Sequence, residues 1–423
     1  MRNKVRSIAG FNRVGSSDRR VQGLNAVTRT VWVLSVVSLL TDTASEMLYP
    51  IMPIYLKSIG FSIVFIGVLE GVAEAMAGFS KGYFGKLSDL SGRRVAFVQI
   101  GYAMSAISKP MMAICTVPLW VLGVRTLDRL GKGVRTAARD AMLSDEAAPE
   151  TKGTVFGFHR AMDTIGAVIG PAIAWLYLSF YPQDYKTLFF IAFIPGLLAI
   201  LFSLSLKEKK ISPPQPNMTP SFFSFLKYWK ESPAEYRKVV LGLLIFTLFN
   251  SSDIFLLLQA KQSGLEDRIV IGIYIFYNLI YALFSFPVGI LADRVGLKAI
   301  FIIGLTLFAT VYWGMAINTN LYVFFLLFFL YGIYAAATEG ISKAWISNIT
   351  DRKDKATAIG TFSALQSVFA MLASSLAGLI WFQFGAPATF MTTSIVTLCV
   401  VLYFILVPQS VNQNKKGESA DSP

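Results

Sequence analysis

Runs of about twenty apolar residues, each long enough to cross a bilayer as a helix, follow one another along almost the whole chain. In the first half they fall at 31–56, 64–85, 95–115, from 118 to beyond 135, 154–177 and 188–206. Residues 207–238 break the series: they are rich in Lys and Ser, carry Pro213, Pro214, Pro216, Pro220 and Pro233, and cannot span. The series resumes at 239–260, 269–291, 299–317, 321–347, 356–384 and 387–407. The pattern predicts an all-α polytopic membrane protein with about twelve spans in two six-helix bundles. Its parts are a basic cytoplasmic tail (1–30), a first bundle (31–206), a cytoplasmic connector (207–238), a second bundle (239–408) and a cytoplasmic tail (409–423). Within the connector, 222–229 reads as a short amphipathic piece lying on the membrane surface.

The second bundle repeats the first. Lys152-Gly153-Thr154-Val155-Phe156-Gly157 aligns with Lys355-Ala356-Thr357-Ala358-Ile359-Gly360, and Thr41-Asp42 with Ser252-Asp253. Where the halves differ, the first is the charged one: Glu70 aligns with Tyr274, Glu74 with Asn278, Lys81 with Ser285, His159 with Phe362 and Asp163 with Gln366.

Composition agrees with the pattern. The chain is 54% hydrophobic and 15% charged, against about a quarter charged in soluble domains. Its net charge of +13 sits mostly in tails and in loops predicted to be internal. Membrane orientation and anionic lipid account for that charge, and nucleic acid is not implied. Both termini are expected in the cytoplasm, at a plasma (inner) membrane of bacterial type. Cys115, Cys399 and the single His159 form no metal-ligand spacing, so no metal and no cofactor is expected. There is no phosphate-cradling Gly-rich loop with Lys-Ser/Thr, so no enzyme is indicated.

Two tight polar hairpins stand at matching places in the halves. The first holds Gly85, Asp89, Gly92, Arg93 and Arg94; the second holds Gly289, Asp293, Arg294, Gly296 and Lys298. Glycines suit close helix approach and a sharp turn, the Asp is placed to cap or pair with a neighbouring helix end, and the basic residues hold the turn inside. This pattern resembles the loop signature between the second and third helices of the major facilitator superfamily. In the first copy, Leu90 replaces the Arg that usually follows the Asp; the second copy has Arg294 there. The resemblance implies a transporter that alternates access to a central cavity between its halves.

Ionisable residues at membrane depth are costly unless paired or facing water, so they mark function first. At about 100° per residue, Ser35, Ser38, Asp42 and Glu46 share a face of the first span, and Glu70, Glu74 and Lys81 a face of the second. Arg125, Asp128, Arg129, Lys132, Arg135 and Arg139 share one arc of the fourth span, and His159 and Asp163 a face of the fifth, with Arg160 about a quarter turn away. Asp253, Glu339 and Lys343 are the candidates of the second half, the last two one turn apart, beside a surface of Tyr274, Tyr277, Tyr281 and Tyr334. Of these, Asp42, Glu46, Glu70, Glu74, Arg125, Arg129, Lys132, His159, Asp163, Asp253, Glu339 and Lys343 define the expected substrate and proton pathway, with Asp42 and Glu74 first among proton carriers. Competing structural readings stand beside it: Arg135, Arg139 and Asp140 as interfacial groups, Glu46–Arg125 as a static ion pair, and His159 as a hydrogen-bonded core residue.

Gly157, Gly166, Gly170 and Pro171 resemble the fifth-helix pattern of superfamily antiporters, whose last glycines are here Ala174 and Trp175. That resemblance implies proton-driven export. The resulting expectation is antiport of a small zwitterionic or anionic organic solute or drug by a monomer in the bilayer. Proton-symport uptake is the alternative, and a non-transporting ligand sensor the alternative of another class.

Overall fold

The computed structural model describes residues 26–209, 221–265, 267–318 and 320–407. The terminal tails and the middle of the connector fall largely outside these residues, as does the side chain of Glu70.

The first half contains α1 (Arg29–Leu48), α2 (Met52–Ser58), α3 (Ile63–Ser91), α4 (Arg94–Ile114), α5 (Pro118–Glu146), α6 (Lys152–Phe180) and α7 (Tyr185–Ser203). A short connector helix, α8 (Tyr228–Glu231), precedes α9 (Ala234–Phe249), α10 (Ile254–Gln262), α11 (Asp267–Val295), α12 (Leu297–Ile317), α13 (Leu321–Asn348) and α14 (Lys355–Leu406). Gly385, at φ 83°, breaks α14 into two antiparallel helices. Counting α1 with α2 and α9 with α10 as single interrupted segments, the described residues make six crossings on either side of the connector.

Two predicted spans are therefore not continuous. The first breaks at 49–51, where Pro50 cannot donate into a helical ladder. The seventh breaks at 250–253, where Asn250, Ser251 and Asp253 spend their side chains on hydroxyl partners from other helices.

The hairpins also differ from expectation. Gly85 and Asp89 lie in the last turns of α3, and Asp293 in the last turn of α11, so the turns shrink to Gly92-Arg93 and Gly296. Both glycines have positive φ, 65° and 109°, a conformation that a Cβ would strain. The helices can run on because each Asp satisfies backbone groups of another helix and does not fold back on its own loop.

Within the first half, α1 packs on α6 and α7, α3 on α5, and α4 on α5 and α7. In the second half, α13 packs on α11 and α12, and α14 on α9 and α12, around one large core rich in Phe and Tyr. Across the halves, α13 and α14 reach α5 and α6, and two helix pairs make the most extensive contacts, α6 with α11 and α3 with α14. Their crossings are backbone-close: a Cβ on Gly153 would meet Gly289 O at 2.6 Å, and one on Gly85 would meet Ala356 O at 2.5 Å.

The connector joins this seam. Phe225 is fully buried, with its ring in the space left by Gly82 of α3, and its carbonyl accepts from Thr361 Oγ1 of α14 at 3.3 Å. Lys86 donates to Ser224 O at 3.0 Å, while Phe222 and Phe223 stack against Tyr83 and Phe79. The amphipathic piece is thus wedged between protein helices on its Phe225 face. Phe222, Phe223, Leu226 and Lys227 remain outward.

Candidate substrate and coupling site

Charged residues of α1, α3, α5 and α6 converge midway along the first bundle. α5 starts cleanly at Pro118, whose missing N–H costs nothing at a helix start, and then presents its basic arc. Arg129 lies 3.7 Å from Glu74, whose carboxylate side chain is 54% exposed although it sits mid-helix; an open cavity therefore adjoins it. Lys132 is exposed and lies within Coulombic reach of Asp42, Glu46, Glu74 and Lys81. Lys81 reaches across to Ser367 of α14 at 3.4 Å. Lys81, Arg129 and Lys132 with Glu74, Asp42 and Glu46 thus form a mixed but base-rich wall.

Asp163 is the junction of a second group. Its Oδ1 accepts from Ser38 at 2.5 Å, its Oδ2 pairs with Arg160 at 2.9 Å, and the carboxyl of Asp42 lies within hydrogen-bonding reach. Arg160 continues to Glu339 of α13 in the other half at 3.4 Å. Sequence reasoning set Arg160 a quarter turn away from Asp163. The long guanidinium arm closes that gap at i,i+3, which helix angle alone does not show. Glu339 and Lys343, expected to face each other one turn apart, instead each turn to the first half: Lys343 pairs with buried Asp140 at 2.7 Å.

Arg135, Arg139 and Asp140, expected at the interface, are buried at 8% exposure or less. Burial is tolerated because each is paired: Arg139 bonds Asp140 at 3.0 Å and Ser38 at 3.1 Å, and Arg135 bonds Ser105 and covers the Tyr102 ring. His159 is a core residue, with Nδ1 3.4 Å from Ser35 Oγ. Arg125 lies 3.4 Å from Asp128, which also holds buried Lys109 of α4 at 2.7 Å, beside a crevice of about 270 Å³ shared with Ser45, Met52 and Phe189. Lys109 was missed, although it is the one ionisable residue inside an otherwise apolar run and that alone was signal enough. In the second half, Asp253 accepts from Tyr277 and Tyr331 at 2.6 Å each.

The hairpin residues lie at the connector end. Asp89 accepts from Thr357 N (2.7 Å) and Oγ1 (2.9 Å), capping the first turn of α14. Arg94 bonds Asp89 at 2.8 Å, and also Asp145 and Arg352 O. Asp145 in turn pairs with Lys355 at 2.9 Å. Asp293 caps α6 through Gly153 N (2.7 Å) and Thr154 N (2.6 Å), while Arg93 and Arg294 are exposed. Of the fifth-helix glycines, Gly157 faces Ser285 of α11, whereas Gly166 and Gly170 face the α1 backbone; Pro171 is accommodated inside α6. The bonds of Asp89, Asp293, Arg94 and Lys355 tie the halves together at the connector end, while Lys81–Ser367 and Arg160–Glu339 join them nearer the middle.

Comparison with known proteins agrees with this architecture. The family model described as Major Facilitator Superfamily matches residues 34–276 and 260–422. The chain is 32% identical over 387 residues to an uncharacterized MFS-type transporter of Methanocaldococcus jannaschii, covering 90% of this chain and 95% of that one. It is 26% identical over 404 residues to the staphyloferrin B transporter of Staphylococcus aureus, covering 91% and 93%. The crystal structure of the human organic anion transporter MFSD10 (TETRAN) superposes with a TM-score of 0.76 at 18% identity, over 89% of this chain and 99% of that one, and so shares the fold. This chain is a member of the major facilitator superfamily, a secondary transporter with two pseudo-symmetric six-helix halves.

Proposed function

We propose that the protein is a proton-coupled antiporter that exports a small zwitterionic or anionic organic solute across a plasma membrane, with both termini and the connector in the cytoplasm. The excess of Lys and Arg on the connector side supports this orientation. Exposed Lys132, with Lys81 and Arg129 around it, suits an acidic group on the solute.

The observation that carries the coupling is the position of Asp163. It touches a second carboxyl, Asp42, and at the same time holds Arg160, which reaches Glu339 in the other half. Two carboxyls in contact are stabilised by sharing a proton. A further proton on Asp163 removes the charge that orients Arg160, and so loosens a bond across the seam. Proton occupancy and closure of the connector side are then two readings of one network, which is what coupling by alternating access requires.

Proteoliposomes containing a trapped pH dye test the proposal, with staphyloferrin B, suggested by the similar transporter, as the first solute and simple organic carboxylates next. Solute flow one way should drive protons the other way. Asp163→Asn should abolish the proton signal while solute counterflow persists. Protons moving with the solute would establish symport, and solute flux without proton movement would defeat the coupling.

A further inference from the structure

The wall contributed by the second half is unlike the base-rich wall opposite. α9 ends at Phe249 and α10 begins at Ile254, so 250–253 crosses the membrane interior without regular helical bonding. The break is held by hydroxyls: Asn250 Nδ2 donates to Tyr334 Oη at 3.2 Å, and Ser251 Oγ meets Tyr312 Oη at 3.2 Å. It presents Asp253, whose carboxylate takes both of its side-chain hydrogen bonds from neutral phenols, Tyr277 and Tyr331. Among the described residues no ion pair neutralises Asp253, and it remains partly exposed.

Buried Tyr277 and Tyr331 hold this carboxylate, and partly exposed Tyr274 stands beside them. The rings of Tyr277 and Tyr331 are 5.5 Å apart, and those of Tyr274 and Tyr277 5.4 Å. Tyr274 lies within Coulombic reach of both Asp253 and Glu46 of α1, which sets the group on the cavity between the halves. A carboxylate left without a counter-charge at membrane depth is expensive, and a cation that arrives with the ligand offsets that cost. Phenol rings beside a carboxylate attract a substituted ammonium where a face is open, as at Tyr274, while the carboxylate supplies the charge. The same rings do little for an acid, which the carboxylate repels.

We propose that Asp253, held in place by Tyr277 and Tyr331, forms with Tyr274 the subsite for a substituted ammonium group of the solute. The inference rests on the reading of the cavity as the substrate site and gives it a polarity. A zwitterion lies across the seam, its acid on Lys81, Arg129 and Lys132 of the first half and its ammonium on Asp253 of the second.

The test is calorimetric binding of phenethylamine, 3-phenylpropionate and phenylalanine to the purified full-length protein, probes that share a phenyl group and differ in charge. Asp253→Asn keeps an acceptor for one tyrosine and offers the other an N–H that its hydroxyl oxygen can accept, so the protein should fold, with its thermal midpoint monitored alongside. It should weaken phenethylamine and phenylalanine by about tenfold or more and leave 3-phenylpropionate within about twofold. Arg129→Gln should do the reverse. If Asp253→Asn lowers the thermal midpoint but not phenethylamine affinity, Asp253 is scaffold for the broken helix and the subsite is refuted. Displacement of phenethylamine by sodium at equal concentration would refute it in favour of an inorganic cation. A wild type that binds 3-phenylpropionate but not phenethylamine refutes the subsite and leaves the cavity reading standing; one that binds neither refutes both.

Discussion

The two connector-side locks are built to one plan and wired differently. In each, the hairpin Asp of one half caps the first turn of a helix in the other: Asp89 on α14 and Asp293 on α6. Around Asp89 the structure adds charge, with Arg94, Asp145, Lys355 and Arg352 linked in series across the seam. Around Asp293 the donors are neutral amides, and the corresponding Lys152 bonds only a carbonyl, Ser347 O, at 2.7 Å. Two positions differ: Arg94 aligns with Lys298, which bonds Val407 O, and Asp145 aligns with an amide. Asp145 stands seven residues before Lys152 (152 − 145), and the residue seven before Lys355 (355 − 348) is Asn348. The shared capping carboxylate is therefore the common principle, and the arginine is an elaboration of one copy. The copy that keeps the motif's Arg after Asp, at Arg294, leaves it on the surface, whereas the copy with Leu90 recruits Arg94 from the next helix.

The comparison can be broken at its strongest point first. Replacing Asp89 with Ala removes two bonds to Thr357 and one of the two carboxylates that hold Arg94. Charge-assisted hydrogen bonds contribute about 1.5–3 kcal/mol each, so loss of the two should open the seam toward the connector by roughly 10²- to 10⁴-fold in population. A cysteine at Ser367, which packs on Gly78, reports this by its alkylation rate in a protein lacking Cys115 and Cys399. Asp293→Ala, read by a cysteine at Ser285 beside Gly157, should shift less, because no charge network collapses with it. Equal shifts would show that the added charges do not matter.

Next come the arginines. Arg94→Met leaves Asp89 buried without its cation, while Asp145 keeps Lys355 and Arg352, and should cost about 3–5 kcal/mol of stability, lowering the thermal midpoint and speeding alkylation at position 367. Arg294→Met, on the surface, should change neither measurement. The smallest effect sharpens the comparison: Asn348→Asp supplies Lys152 with the acid its counterpart has. It should slow alkylation at position 285 by about two- to fivefold, the range of a partly exposed ion pair.

Much of this was legible in the sequence, and the reason is physical. The length of the apolar runs and their repetition are dictated by bilayer thickness, so the two bundles, the connector and the break between the last two helices emerged without tertiary information. Ionisable residues in apolar runs stand out for the same reason, which is how Asp42, Glu74, Arg129 and Asp163 were found. Their partners were not legible. Pairing depends on which helices adjoin and on how far a side chain bends, so Arg160–Glu339 and Lys343–Asp140 were invisible to helix angles. The connector misled for a related reason: the face with Phe225 has the same pattern whether it meets lipid or the space above Gly82.

The reciprocal capping has a last consequence. Each time the seam parts on the connector side, Asp89, Asp293 and the backbone amides of Gly153, Thr154 and Thr357 lose their partners together. Such groups are not left bare, so water must enter as the helices separate. Opening is then a hydration reaction as much as a movement of helices. The resting conformation depends on water activity, and osmolytes excluded from the cavity hold the carrier shut without touching its substrate site.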